Sequence, residues 1–411
     1  LFMGHDMTSM ACVTFDDNDV CYAGGANSKI YVFEGRECQK SEKVHKGGFI
    51  CAIRWVEGKL FSGGKDGRLV QSDPSTLACL REISLGSLVR AIDCMGDNLI
   101  VGLRDGTIKT IAADESQCDI MKSHSDGEVW GLEIHSDTVW TSADDNKVMQ
   151  WDPATRTHLK TLKVTDRKRK AKRGGASTLS RLPDSQCSRS VAVNDDWIAV
   201  AGNDGAVSVR AQSDPDSEVH LLEDSSEWVE VMAFSPDNTK LAVGSHDNNI
   251  YVYDATAGFS LLGTCRAHNS YIMALDWAAD SSYIRSNCGA YELLFFTMPD
   301  CAQDPSGRTN TKPVTWASKT CKFQWETQGI YPSGTDGTHV NSVTGSADGQ
   351  LLATGDDYGL VNLFRDPCIK GVPRCYRGHS EHVVRVKFNS DDSYLFSVGG
   401  YDQTLMQWKK C

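Results

Sequence analysis

One short frame returns nine times along this chain and restricts its fold more than any other feature. In "SHDNNIYVYD" (Ser245–Asp254) a turn aspartate is followed by an apolar residue three positions on and an aromatic six on. The frame recurs in "GGKDGRLVQS", "GLRDGTIKTI", "ADDNKVMQWD", "GNDGAVSVR" and "GYDQTLMQW". Its turn positions are Asn27, Asp66, Asp105, Asp145, Asp204, Asp247, Ala290, Asp357 and Asp402, and at Asp357 the apolar and aromatic residues fall one place late. The steps between them are 39, 39, 40, 59, 43, 43, 67 and 45. A period near 40 with short alternating strands predicts an all-β chain of propeller blades, each of four antiparallel strands. Asp-Gly and Asp-Asn supply the tight hairpins. The alternation after them sets every second side chain against the neighbouring blade. Single rings usually hold about 4–8 blades. Nine turns therefore predict two rings, one of them incomplete in this chain.

The frame carries further signs. "QWDP" (Gln150–Pro153) holds a Trp-Asp pair, while "GHD" (Gly4–Asp6) and "GHS" (Gly378–Ser380) hold a Gly-His pair. His45, His124 and His268 stand at the matching place without the glycine. These features resemble the WD-repeat family. That resemblance implies that the blade histidines (His5, His45, His124, His268, His379) bond to the turn aspartates (Asp66, Asp105, Asp145, Asp204, Asp247, Asp357, Asp402) inside each blade. Ala290 cannot take part, so its blade departs from the pattern.

Two long steps narrow the family. The step from 290 to 357 contains "VTWASKTCKFQWETQGIYPSGTDGTHVNSV", which is no ordinary connection between blades. With "HSDGEVWGLEIH", "SNCGAYELLFF" and "SVGGYDQTLMQWK", in that order, it resembles the echinoderm microtubule-associated protein-like family. The resemblance implies tandem propellers that bind tubulin or microtubules, with a motif called HELP closing the first. No HELP motif is recognisable here and the chain opens on Leu1, so a piece of a longer protein is expected. Residues 1–123 are then the last three blades of a first, incomplete propeller. Residues 124–411 are a second propeller of about seven blades, with a basic insertion at 165–187 and an atypical blade near 306–340.

Composition limits the alternatives. The net charge of -12 argues against general nucleic-acid binding, which needs a broad basic surface. No apolar run reaches the ~18 residues that span a bilayer, so no membrane partner is expected. The 15 cysteines are odd in number, contain no C-x-x-C and fall partly in apolar strand-like runs. Free thiols in a reducing cytoplasm are the expectation. Paired carboxylates such as Asp16-Asp17, Asp195-Asp196 and Asp391-Asp392 could serve acid–base chemistry, but each sits where a turn is predicted. His379 and His382 have H-x-x-H spacing without a supporting ligand set. Phosphate-cradling loops and the nucleophile elbow are absent from the sequence. The reading is a scaffold, neither enzyme nor metalloprotein, with no cofactor.

The acidic chain nevertheless carries one dense basic knot, Arg167, Lys168, Arg169, Lys170, Lys172 and Arg173, after the strand "THLKTLKV". Such a block reads as a solvated loop, as a nuclear localisation signal, or as a contact for an acidic partner. Because tubulin ends in Glu-rich tails, the resemblance favours these residues as a tubulin-contact loop. Other cytoskeletal or ciliary proteins are further expected partners, on cytoplasmic or axonemal microtubules. The competing reading is a general WD-repeat adaptor in signalling or ubiquitin-ligase assemblies.

Overall fold

A computed structural model describes residues 8–164, 187–215, 219–331 and 339–410. The chain divides into two compact units, Leu1–Ser125 and Asp126–Cys411. The described residues form nine antiparallel sheets, each a meander in which consecutive strands pair. Sheets 1–3 (residues 10–43, 50–84 and 89–121) belong to the first unit. Sheets 4–9 (129–163, 188–222, 229–266, 272–303, 340–377 and 383–409) belong to the second. Eight sheets have four strands; sheet 9 has three.

Each sheet twists, so stacking sheets face to face bends the row around an axis. In the second unit the first, innermost strands of sheets 4 to 7 pack in succession, as do those of sheets 8 and 9, and that of sheet 9 returns to that of sheet 4. The ring is tied at this joint by Val129 N–H on the Gly400 carbonyl (3.3 Å) and Gln403 Nε2 on the Gly127 carbonyl (2.8 Å). The core lies between neighbouring sheets. Between sheets 6 and 7, Ile250, Val252, Ile272, Leu275, Trp277, Ile284 and Phe296 form one buried cluster. Each such side chain contributes roughly 1.5–3 kcal/mol on burial.

In the first unit three sheets follow one another in the same way. The inner strand of sheet 1, Met10–Phe15, leaves Val13 56% and Phe15 57% exposed. The inner strand of sheet 3 likewise leaves Met95 58% exposed, whereas sheet 5 buries Val191 and Val193.

Two devices repeat in all nine sheets. The residue just past the second strand donates its N–H to the carbonyl of the residue just before the inner strand, as in Lys65 to Phe49, Asp144 to Glu128, His246 to Trp228 and Gly400 to His382. Beside this bond the inner strand carries a bulge at its second residue, for example between Val129 and Gly131 and between Val229 and Val231. A bulge re-aims the extra side chain and sharpens the twist.

No sheet forms between sheets 7 and 8 among the described residues. A one-turn helix, Gly307–Asn310, leads to Trp316, which bridges Ala278, and a 3-10 helix follows at Trp325–Ile330. The segment is anchored on Asp276, whose buried carboxylate accepts from Ser318 Oγ (2.6 Å), Thr320 N (2.8 Å), Thr320 Oγ1 (2.9 Å) and Cys321 N (3.2 Å). Arg285 Nε completes the set at 2.9 Å, and its guanidinium lies 4.2 Å from the Trp316 ring centre. Six sheets and this segment thus fill seven places around the second ring. The cysteines among the described residues are free thiols. No helix there is long and apolar enough to cross a membrane.

Candidate protein-interaction face

The bulges decide what lines the mouth of the second ring. Each lifts one side chain out of the strand alternation and turns it inward. These are Trp130, Arg189, Glu230, Met273, Asn341 and Val384, one from each sheet. All six line a funnel of about 380 Å³, and Lys322 from the sheetless segment takes the seventh place. Below it the passage widens to a chamber of about 610 Å³ that shares Glu230, Met273, Lys322, Asn341 and Arg385.

Cations and aromatic rings dominate the mouth. The Arg189 guanidinium lies 3.8 Å from the Trp130 ring centre and 4.5 Å from that of Trp228. Such a sandwich is favourable and holds the side chain without a close carboxylate. Its nearest acid, Asp144, is 3.8 Å from Nε and already accepts from Trp130 Nε1 at 2.9 Å. Glu230 takes Arg385 Nη2 at 2.8 Å and lies 3.5 Å from His246. Burial works to raise the Glu230 pKa, but His246 and the charges of Arg385 and Arg189 outweigh it and hold the carboxyl below its ordinary range. His246 stacks on Tyr271, ring centres 4.6 Å apart. Lys322 is 3% exposed and donates to the Val340 carbonyl at 2.5 Å. Burial first, then the Arg385 charge, lowers its ammonium pKa to about 8. Around this ring the turns present Tyr291 (54% exposed), Tyr358 (62%) and Tyr401 (64%).

Tyrosines that need little entropy to fix, stacked arginine and a partly desolvated lysine form a surface suited to gripping another protein. Within the funnel the Glu230 carboxylate and the Arg385 guanidinium form an ion pair.

The basic knot, Arg167, Lys168, Arg169, Lys170, Lys172 and Arg173, lies outside the described residues. The residues that bracket it are on this face. Val164 is buried and donates to the Asn146 carbonyl, and the Cys187 carbonyl accepts from Asn203.

The predicted blade histidines occupy several environments. His45 Nδ1 meets Asp66 at 2.9 Å and its Nε2 meets Ser62 at 2.9 Å. His379 repeats this with Asp402 (2.9 Å) and Ser397 (2.7 Å), and Trp408 Nε1 joins at Ser397 (2.8 Å). His124 is buried, and His5 lies outside the described residues. In sheet 7, where Ala290 stands at the turn, Glu292 takes the aspartate's part and lies 3.3 Å from His268 Nδ1.

The turn aspartates Asp66, Asp105, Asp145, Asp204, Asp247 and Asp402 each accept the N–H two residues on. In sheet 8 the turn has the same length, with Gly359 N–H on the Asp356 carbonyl, but Tyr358 stands where other turns carry the aspartate; Asp356, the last residue of the second strand, accepts the N–H of Tyr358 and of Leu360, and Asp357 accepts from Asn341 Nδ2 at the funnel. His379 and His382 face apart, for His382 bonds Glu128 (3.2 Å) and Glu381 (2.8 Å). The doublets are turn chemistry: Asp16 and Asp391 each accept the N–H two residues on.

The funnel residues were missed by reading alternation, because a bulge is a local break in alternation. Their one sequence signal is position: each is the second residue of its inner strand.

Known proteins match this description. Residues 129–410 match the family profile for the echinoderm microtubule-associated protein second beta-propeller. The chain is 50% identical over 409 residues to the ciliary WD repeat-containing protein ctxp80 of Euplotoides octocarinatus, covering 98% of this chain and 57% of that one. It is 32% identical over 430 residues to mouse echinoderm microtubule-associated protein-like 2, covering 100% and 62%. It is 30% identical over 421 residues to the 77 kDa echinoderm microtubule-associated protein of Lytechinus variegatus, covering 97% and 59%. The chain therefore spans 57 to 62% of the length of these relatives. With its blade repeat, its sheetless seventh place and the match over most of its length, the chain belongs to the echinoderm microtubule-associated protein-like family of WD-repeat β-propellers.

Proposed function

We propose that this chain is a rigid microtubule-associated scaffold that binds tubulin through the funnel-mouth face of its second propeller. The observation that carries this is the ring of bulge-directed side chains, one from each sheet, rimmed by exposed tyrosines. Family membership supports the partner, and the fixed backbone supports display without catalysis. The basic residues Arg167–Arg173 are the second element, because their brackets Val164 and Cys187 open on the same face. An acidic tail reaching Arg189 would meet a guanidinium already held by two rings, so little ordering entropy remains to be lost. The first unit is the end of a further propeller that other blades complete, in keeping with the exposed Val13 and Phe15. The name of the Euplotoides relative favours ciliary microtubules as the site of action.

Co-sedimentation with microtubules across a salt series, and a pull-down of soluble tubulin, test the reading. Arg189→Ala with Tyr401→Ala is expected to weaken binding at least tenfold. Deleting 165–187 is expected to flatten the salt dependence. Binding that neither change alters would place the contact elsewhere.

A further inference from the structure

Sheet 7 differs from its sister sheets at one node. In sheets 2 and 9 the blade histidine, its aspartate and a serine form the node, and the last residue of the second strand is glycine, Gly64 or Gly399. There is no room for more. A Cβ on Gly64 would lie 2.5 Å from His45 Nδ1, and one on Gly399 2.0 Å from Asp402 Oδ1. Sheet 7 keeps the histidine and serine, with His268 Nε2 2.7 Å from Ser286 Oγ. It replaces the aspartate by a longer acid, Glu292, and the glycine position carries a thiol, Cys288. The two changes fit together: withdrawing the acid along the chain makes the space that the thiol fills.

The result is a soft, a borderline and a hard donor converging on one point. His268 Nδ1, Cys288 Sγ and a Glu292 oxygen all lie within 4.8 Å of one another. Glu292 Oε2 is 3.3 Å from Nδ1 and 3.0 Å from Sγ. Tetrahedral zinc, with bonds of ~2.0–2.3 Å to N, O and S, spaces its donors ~3.3–3.6 Å apart, so only small shifts are needed. Both His268 and Cys288 are buried, and the Glu292 side chain is 25% exposed, which leaves an approach from solvent. The outer contacts also suit a metal. Ser286 would accept the proton kept on Nε2, freeing the Nδ1 lone pair, and Asn269 grips the carboxylate through N (3.0 Å) and Nδ2 (2.5 Å).

We propose that His268, Cys288 and Glu292 form a zinc site that ties the loop before the inner strand of sheet 7 to the end of its second strand and the turn beyond it, with the fourth coordination position open to water. Binding exchanges the Cys288 thiol proton for a Zn–S bond; the proton leaves to solvent, and no electron is transferred. The ligand set of thiolate, imidazole and carboxylate favours zinc over magnesium or calcium, which prefer oxygen alone. The tied loop and turn carry Tyr271 and Tyr291, so the metal would stiffen one side of the funnel rim.

The test uses the full chain, loaded with Zn(II) or Co(II) and desalted. One equivalent of metal is expected to remain, and the cobalt form is expected to show a thiolate charge-transfer band with tetrahedral visible absorption. Cys288→Ser and Glu292→Gln are each expected to lose that equivalent and the band. Ser286→Ala is expected to weaken affinity about 10–100-fold, as loss of an outer-shell partner does. Near-ultraviolet circular dichroism confirms that each variant is folded. Glu292→Gln keeps an acceptor for Asn269, and so reports even where the cysteine variant does not fold. Wild-type chain that retains no metal, or a cobalt band that survives both Cys288→Ser and Glu292→Gln, would overturn the site.

Discussion

Asp276 anchors the segment that stands in for a missing sheet, and removing its carboxylate should loosen that segment before anything else. The side chain is fully buried, pairs with Arg285 at 2.9 Å and accepts four further bonds from Ser318, Thr320 and Cys321. Charge-assisted hydrogen bonds are worth ~1.5–3 kcal/mol each. Adding five of them overstates the loss, since burying the carboxylate has its own cost and water re-enters when it is gone. A better guide is a buried pair broken on one side, which costs ~3–5 kcal/mol because the partner charge is left alone. Asp276→Ala should therefore destabilise the second unit by ~3–5 kcal/mol. Asp276→Asn should cost less, because an oxygen still accepts from Ser318 and Thr320, even though its NH₂ now faces the Arg285 guanidinium donor to donor. Replacing both partners, Asp276→Leu with Arg285→Met, should recover part of the loss. Amide hydrogen exchange gives the local reading: Thr320 and Cys321, whose N–H groups lose their acceptor, should exchange at least a hundredfold faster. Urea unfolding, followed at the buried Trp277, gives the global one. If Asp276→Ala changes stability by less than ~1 kcal/mol and leaves those amides protected, a buried carboxylate does not hold the segment.

Other expectations can be checked independently. Burial outweighs the raising effect of their aspartates and lowers the pKa of His45 and of His379, so both are neutral when folded at neutral pH. The unfolded chain then binds more protons, and stability should rise as pH goes from about 5 to 7 and fall away below the unfolded histidine pKa of ~6.5; denaturant midpoints across that range test it, and a fall with rising pH would contradict it. Gly205 has φ +78°, and a Cβ there would lie 2.7 Å from the Glu227 carbonyl, so Gly205→Ala should cost at least ~1 kcal/mol by thermal melting. Arg189→Lys should weaken tubulin binding nearly as much as Arg189→Ala, because an ammonium does not stack between two indoles as a guanidinium does; full retention by the lysine variant would argue for charge alone.

The repeat was legible because the turns are made by a few residue types at fixed spacing. Asp66, Asp105, Asp145, Asp204, Asp247 and Asp402 each bond two residues ahead, and that local chemistry is written in the sequence. Where it shifts, the sequence misleads. Asp356 and Asp357 are adjacent and chemically equal, and only the turn geometry assigns them to different tasks. Glu292 was hidden for a related reason: two residues of displacement and one extra methylene compensate each other in space, not in alignment. Lys322 reaches the funnel from a segment with no strand period at all, so neither repeat nor alternation marks it. The funnel as a whole depends on six bulges, and bulges have no strong composition of their own.

Those bulges separate two kinds of information. The residues that hold the sheets together sit in the regular alternation and answer to packing. The residue at each bulge also lines the funnel, and so meets whatever enters the ring. A relative could change its guest by rewriting these six positions and Lys322 while its blades stayed as they are, much as a lock is re-keyed without altering its case. Variation confined to Trp130, Arg189, Glu230, Met273, Lys322, Asn341 and Val384 would then track a change of cargo, and lineages could diverge in what they carry without diverging in fold.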